Sequence, residues 1–280
     1  MRYWFGFMCV LALAVMGCSE TPDGTDLCEG VMCEDDGNEC TEDVCNPADG
    51  TCGVPIENGT VCSSGACLDG SCTSLVTASG TVAFGGAPPG EGSQITVSVA
   101  GTLLSTTTDV SGRFSFEVFP GDWFFVTSKE DTVWGEIEFI SVPDTGQRDL
   151  QLFVGFDEEI AAIEEECGVE FDEAKGFVAL YFAPVSGAGG ETATLSVPHG
   201  GALTNDAAGN CVVSEMLLPG GENQFGGGEI EFINVDLTES LVVTPIAPEG
   251  YECALEHPGT VLPVRASFLS YLDVRCMSVP

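Results

Sequence analysis

Thr108-Asp109-Val110-Ser111-Gly112-Arg113-Phe114-Ser115-Phe116-Glu117-Val118 decides the fold. Its first half reads as a turn, since Asp109 can accept from backbone N–H groups just ahead of it and Gly112 takes positive φ freely. Its second half alternates: Phe114, Phe116 and Val118 on one side, Arg113, Ser115 and Glu117 on the other. That is the period of a strand with one buried face. The same alternation surrounds it. Val82/Phe84 begin the series, and Ile95/Val97/Val99 stand against Gln94, Thr96 and Ser98; Trp123/Phe125, Ile137/Phe139 and Leu150/Leu152/Val154 complete it. Pro88-Pro89-Gly90 reads as another turn. Short period-two runs at turn-punctuated spacing predict antiparallel strands in a β-sandwich over residues 75–155.

The quoted stretch, with Pro120-Gly121-Asp122-Trp123 and a closing Arg148-Asp149-Leu150-Gln151-Leu152, resembles the carboxypeptidase regulatory-like domain over about residues 78–155. The resemblance implies a seven-stranded, transthyretin-like sandwich. It also implies a non-catalytic surface module, whatever the family name suggests.

Beyond it, Phe156, Ile160, Ile163 and Cys167 fall at helical spacing. Asp157, Glu158 and Glu159 complement the dipole in the first turn, and Gly168 is a natural stop, so residues 156–169 read as a linking helix. The sandwich pattern then repeats. Gly176-Phe177-Val178-Ala179 parallels Gly80-Thr81-Val82-Ala83, and Asn205-Asp206-Ala207-Ala208-Gly209 parallels the turn at Asp109–Gly112. Gly228-Glu229-Ile230-Glu231-Phe232-Ile233-Asn234-Val235 nearly copies Gly135-Glu136-Ile137-Glu138-Phe139-Ile140-Ser141-Val142, at an offset of 93 rather than 96 or 97. Either loop lengths differ or the segment corresponds to the Phe114–Phe119 strand. Residues 170–280 are read as a second, divergent sandwich, with Cys253–Cys276 and Cys167–Cys211 as candidate staples. The fold class is thus mainly β: a small disulfide-rich module, then two antiparallel sandwiches with one short helix between.

At the other end, Arg2 precedes an uncharged, mostly apolar run to Gly17, too short for a membrane-spanning helix of roughly 20 residues; residues 1–17 read as an export signal. Val15-Met16-Gly17-Cys18 resembles the bacterial lipobox. That resemblance implies cleavage before Cys18, acylation of Cys18 with diacylglycerol and palmitate-type chains, and membrane attachment through the N-terminal lipid. An ordinary signal with a coincidental Cys is the alternative. Ser19 lacks the Asp that retains some lipoproteins at the inner membrane, so by resemblance to that rule the outer membrane is the expected address. Residues 18–27 are polar, without hydrophobic period, and read as a tether.

Fourteen cysteines are encoded, and with Cys9 and Cys18 set aside the rest fall into two even groups. Cys28, Cys33, Cys40, Cys45, Cys52, Cys62, Cys67 and Cys72 crowd residues 28–74; Cys167, Cys211, Cys253 and Cys276 are spread beyond. Even numbers in an exported chain imply disulfides. Zinc competes weakly, because two-residue Cys knuckles and His ligands are missing. A segment with few large apolar residues folds because it is cross-linked. Cys40-Thr41-Glu42-Asp43-Val44-Cys45 resembles a repeat of slime-mould extracellular and myxobacterial surface proteins. Asn58-Gly59-Thr60-Val61-Cys62 through Cys72 resembles disintegrin-like loops. Both imply spacers or adhesive knobs.

Seven basic residues face 44 acids, a formal charge of −37. Such a chain repels phosphate backbones and has no basic stripe, which excludes nucleic acid. Acidity suits divalent cations or basic partners as well as mere solubility. Asp35, Asp36, Asn38 and Asp43 offer hard oxygens of the kind calcium takes, without matching an EF-hand loop. No other cofactor is indicated. Glu164-Glu165-Glu166 reads as a solvated face. His199 and His257 belong to no His-Glu-x-x-His set, no Gly-x-Ser-x-Gly elbow exists, and oxidised cysteines are not nucleophiles. A non-enzymatic, lipid-anchored envelope protein that binds envelope proteins or polysaccharide is the expectation. The alternative is a carbohydrate-binding accessory protein or carboxylate-dependent hydrolase, which exposed rings at Trp123 or Trp134 would favour.

Overall fold

The computed structural model describes residues 27–84, 94–129, 134–155, 157–184, 189–221 and 227–279. The export signal, Cys18, the tether up to residue 26, the Pro88–Gly90 turn and Phe156 lie outside them. No helix among the described residues is long and apolar enough to cross a membrane.

The cysteine-rich segment forms two small sheets. β1 (Thr41–Cys45) pairs with β2 (Cys52–Pro55), and β3 (Val61–Cys62), β4 (Gly65–Leu68) and β5 (Ser71–Thr73) form a meander. Disulfides join Cys28–Cys45, Cys33–Cys52, Cys40–Cys67 and Cys62–Cys72. Its buried apolar residues are Cys40, Ala66 and Cys67. The bond between the two sheets is therefore most of the core, and cross-linking stands in for apolar burial. Leu103 N–H donates to the Asn58 carbonyl at 2.8 Å, joining this module to the next. Gly59 makes that approach possible, since a Cβ there would lie 2.7 Å from the Leu103 nitrogen.

Seven strands follow: β6 (Val76–Phe84), β7 (Thr96–Val99), β8 (Ser105–Thr107), β9 (Arg113–Val118), β10 (Gly121–Ser128), β11 (Gly135–Val142) and β12 (Gln147–Val154). Only β8 escapes the apolar alternation, being Ser-Thr-Thr. A β12-β6-β9 sheet packs on β11-β10-β7-β8 around Val82, Ile95, Val97, Phe114, Val118, Phe125 and Leu152. The turn at its heart forms as its residues dictate. Asp109 Oδ1 accepts from Ser111 N–H at 2.8 Å and Arg113 N–H at 3.0 Å, and Gly112 sits at φ 78°.

Helix α1 (Asp157–Cys167) comes next and ends at Gly168, whose φ of 67° is the usual left-handed stop. Then come β13 (Gly176–Ala183), β14 (Thr192–Leu195), β15 (Gly201–Asn205), β16 (Cys211–Val213) and β17 (Gly228–Val235). β18 (Thr238–Leu241), β19 (Val243–Ile246), β20 (Tyr251–Leu255), β21 (Leu262–Val264) and β22 (Phe268–Ser278) complete the chain. The disulfides here are Cys167–Cys211 and Cys253–Cys276.

The fold is mainly β with one helix among the described residues, and two differences from expectation matter. First, the halves share one ten-stranded sheet, ordered β16-β15-β17-β13-β22-β11-β10-β7-β8, with β20 also on β22. Second, the pairing is not wholly antiparallel: β6–β12, β11–β22 and β13–β22 are parallel. A period of two reports which face is buried, not which way a neighbour runs, so long returns such as β22 cannot be read from it. Adjacent residues show how the layers stack. Phe125 and Ile140 join the core under β12-β6-β9, while Phe124 and Phe139 pack on the core formed by β13, β17 and β22 with Leu241, Val243, Leu262 and Val264. Neighbours along a strand point oppositely. The two cores therefore lie on opposite faces of the shared sheet.

The internal repeat is only partly spatial. Asp206 repeats the Asp109 turn, accepting from Ala208 and Asn210 N–H at 2.8 and 2.9 Å. The near-copy Gly228–Val235 pairs antiparallel to β13, as Arg113–Val118 does to β6. It stands in the place of β9, not of β11.

Candidate functional site

The two copies of Gly-Glu-Ile-Glu-Phe-Ile place four glutamates on one face of the shared sheet. Register carries one row from Glu138 through Tyr271 and Ala179 to Glu231. A second runs Asp273, Tyr181, Glu229, and a third Glu136, Leu269, Phe177. This is the side opposite Val178, Leu180 and Leu272, which fill the C-terminal core.

Burial governs the chemistry of these acids. Glu136 is 7% exposed, and its Oε2 accepts from Phe153 N–H at 2.7 Å. Desolvation, only partly offset by that bond, pushes its pKa up to about 7. Burial, then the charges of Glu136 and Asp273, raises Glu138 to about 8. Burial with Glu231 and Glu136 lifts Glu229 to about 7. Burial also raises Glu231, Asp273 and the Tyr271 phenol. The acids resist ionisation together, because each would place charge beside others in a site that water reaches poorly.

Helix α1 roofs part of this face. Ile160, Ile163 and Cys167 pack against Trp134, Phe177, Leu203 and Ile233. Cys167–Cys211 ties the helix end to β16, and Glu164 Oε1 accepts from Phe171 N–H at 2.7 Å. Beneath Ile160 and Ile163 lies a cavity of about 460 Å³, walled by Trp134, Phe171, Phe177 and Leu269, with Glu136 and Glu231 on its floor. Trp134 and Phe171 each meet the Phe177 ring edge-on, centroids 4.2 and 4.7 Å apart. A second cavity of about 190 Å³ lies where Glu166, Asn205, Glu229 and Glu231 meet. Chemically, the face offers proton donors near neutral pH or, once ionised, a receptor for positive charge.

Of the residues singled out from sequence, Trp134 walls the larger cavity and Cys167 and Cys211 line the smaller, while the calcium candidates and the histidines lie outside both. Asp35, Asp36 and Asp43 do come together, with carboxylate oxygens within 4.8 Å of one another, all exposed. Asn38 beside them has its side chain engaged by backbone. Its amide donates to Gly70 O at 2.8 Å and its Oδ1 accepts from Cys40 N–H at 3.0 Å. The three acids also serve the local backbone: Asp35 caps Gly37, Asp36 caps Asn38, and Asp43 accepts from Asp36 N–H. Neither tryptophan is an open platform. Trp134 is buried; Trp123 is half-buried beside Phe119, donating from Nε1 to Pro120 O. His199 packs on Phe232 and bonds Gly201 O, while His257 lies on Phe139 at the edge of Glu138 and Asp273. Glu165 is exposed as a solvated face requires, but Glu164 is half-buried and engaged. The four glutamates went unread although their signal was plain in the duplicated hexapeptide.

No family model matches the sequence, so the resemblance to the carboxypeptidase regulatory-like domain is not carried to a family assignment. No curated protein matches either. Among solved structures, similar chains include one from a type II cohesin–X-dockerin complex of Acetivibrio cellulolyticus, 20% identical over 34% of this chain and 75% of that one, TM-score 0.24. A DUF3823 family protein from Bacteroides ovatus is 12% identical over 63% and 86%, TM-score 0.23. The major pilin of Streptococcus pyogenes is 12% identical over 74% and 99%, TM-score 0.22.

Proposed function

We propose that this is a non-enzymatic protein of the cell envelope, exported and held at the outer membrane by lipid on Cys18, acting as a surface binding, adhesion or structural module. In this reading residues 1–17 are the signal, 18–27 the tether, 28–74 a stapled spacer, 75–155 and 170–280 the sandwiches, and 156–169 the link between them. One observation carries it. Twelve cysteines pair into six disulfides, four of them in a module with almost no other core. Such a module holds only where thiols are oxidised, outside the cytoplasm. Two or more acyl chains would then anchor a body too acidic to adhere to anionic lipid. Envelope proteins or polysaccharide are the partners this placement favours. Calcium would act at Asp35, Asp36 and Asp43, three carboxylates for an ion that takes six to eight oxygens, hence weakly. Cys18→Ser should move the protein from membrane to soluble fraction and abolish palmitate labelling. A variant that stays membrane-bound and labelled would sink the reading.

A second reading has one specific support: Glu136, Glu138 and Glu229, held at about 7 to 8, are poised as general acids. Hydrolysis of envelope glycans that is lost in Glu138→Gln would replace the binding module with a hydrolase.

A further inference from the structure

We infer that the cavity beneath α1 binds a small organic cation, an ammonium or guanidinium group carried on an apolar body. This goes beyond the envelope-module reading and does not rest on it. The volume, about 460 Å³, lies in the range of small-molecule sites, roughly 300–1,000 Å³. Its walls decide the body of the ligand: Trp134, Phe171, Phe177 and Ile163 offer rings and methyls. Its floor decides the head. Glu136 and Glu231 are the charged groups among the described lining residues, and no basic side chain accompanies them. Glu136 accepts the Phe153 N–H, yet a carboxylate has about four acceptor positions. A ligand's N–H donors fit the remainder, and the Trp134 ring adds cation–π attraction. An anion would be repelled. A bare metal ion would lack ligands, since these acids are not among the described groups whose oxygens converge within 4.8 Å.

The proton competes with such a ligand. Facing Glu136 are Glu138 on its own strand, Tyr271 on β22, and Glu229 and Glu231 on β17, with Asp273 and Tyr181 in the next row of the same face. On α1, Glu164 and Glu166 are turned to the Phe171 and Cys211 N–H groups. β10 presents Thr127, and β12 presents a backbone N–H, its Arg148 and Asp149 lying exposed at the far end. No base stands among them, and burial pushes its pKa up to about 7, so Glu136 is mostly neutral at pH 5 and mostly ionised at pH 8. Affinity for the cation should therefore fall up to about 100-fold as pH is lowered from 8 to 5.

Calorimetry of the full-length protein at pH 8 with 2-phenylethylamine, 2-phenylethanol and 3-phenylpropanoate tests this. The amine should bind, the alcohol about tenfold or more weaker, and the anion not at all. Glu136→Gln and Glu231→Gln should each weaken the amine about tenfold or more, and Ile163→Trp should block it by filling space. Glu117→Gln, on exposed β9 surface, should bind as wild type. Circular dichroism separates lost binding from lost folding, and Glu231→Gln serves if Glu136→Gln does not fold. Equal binding of alcohol and amine, full affinity in folded glutamine variants, or no amine binding up to about 10 mM would overturn the inference.

Discussion

Glu136 and Glu231 reach one cavity from strands that are not neighbours, and the residues between them explain their state. β22 and β13 separate β11 from β17, and contribute Tyr271 and Ala179 to the row that joins Glu138 to Glu231. Neither side chain carries positive charge, so neither compensates an ionised glutamate in that row. Glu138→Gln keeps the side chain's shape while removing a group that burial holds at about 8. It should raise the melting temperature at pH 8 and leave it unchanged at pH 5, where the wild-type group is already neutral; equal curves at both would mean Glu138 is solvated. The same residues mark where sequence reading stops. Alternation puts Ile137 and Phe139 on one face and the intervening Glu136 and Glu138 on the other, which in a sheet with one covered face would be the wet side. Here α1 and the neighbouring rings cover the second face as well. Only the doubled hexapeptide hinted that these polar positions had a shared task.

At the scale of elements, what is local was legible and what is long-range was not. The Asp109 and Asp206 turns, the β strands with apolar alternation, and α1 with its Gly168 stop are set by residues within a few positions of each other. The parallel placement of β22 depends on partners roughly 90 and 130 positions earlier, and no spacing encodes it. That strand has the most consequence, because it pairs with β11 in one half and with β13 and β20 in the other. Leu272 is buried in the C-terminal core. Leu272→Ala should cost about 2–5 kcal/mol. Because the sheet is shared, the loss should appear in the N-terminal half too. Trp123, packed on the N-terminal core, should report the same lowered melting temperature as backbone circular dichroism. A Trp123 transition left at the wild-type temperature would show two independent domains instead.

At the scale of the whole molecule, two kinds of acid must be distinguished. Most of the 44 carboxylates repel one another across the surface, a long-range effect that salt screens within about 10 Å at 0.1 M. The glutamates beneath and beside α1 are penalised by burial, which salt does not touch. Glu136, Glu138 and Glu229 have folded pKa values of about 7, 8 and 7 against an ordinary 4.5, so the folded chain holds protons more tightly than the unfolded one. Their contribution is complete below about pH 4.5 and is lost as pH rises through 7 to 8. For Glu136 alone the span corresponds to about 3 kcal/mol as an upper figure. Asp49, Asp109 and Asp206 act in the opposite sense. Hydrogen bonds, chiefly from Thr51, Ser111 and Asn210, hold them below 3.8, so their contribution fades only in stronger acid. Stability should therefore peak near pH 4 to 4.5, decline steadily from there to about pH 8, and fall again in stronger acid. Melting curves at pH 5 and 8, with and without 0.5 M sodium chloride, separate the causes. Salt should raise both curves and leave a gap between them, because desolvation persists when repulsion is screened. A gap that closes in salt would mean that the acids act only as dispersed surface charge, and that water reaches the carboxylate face freely.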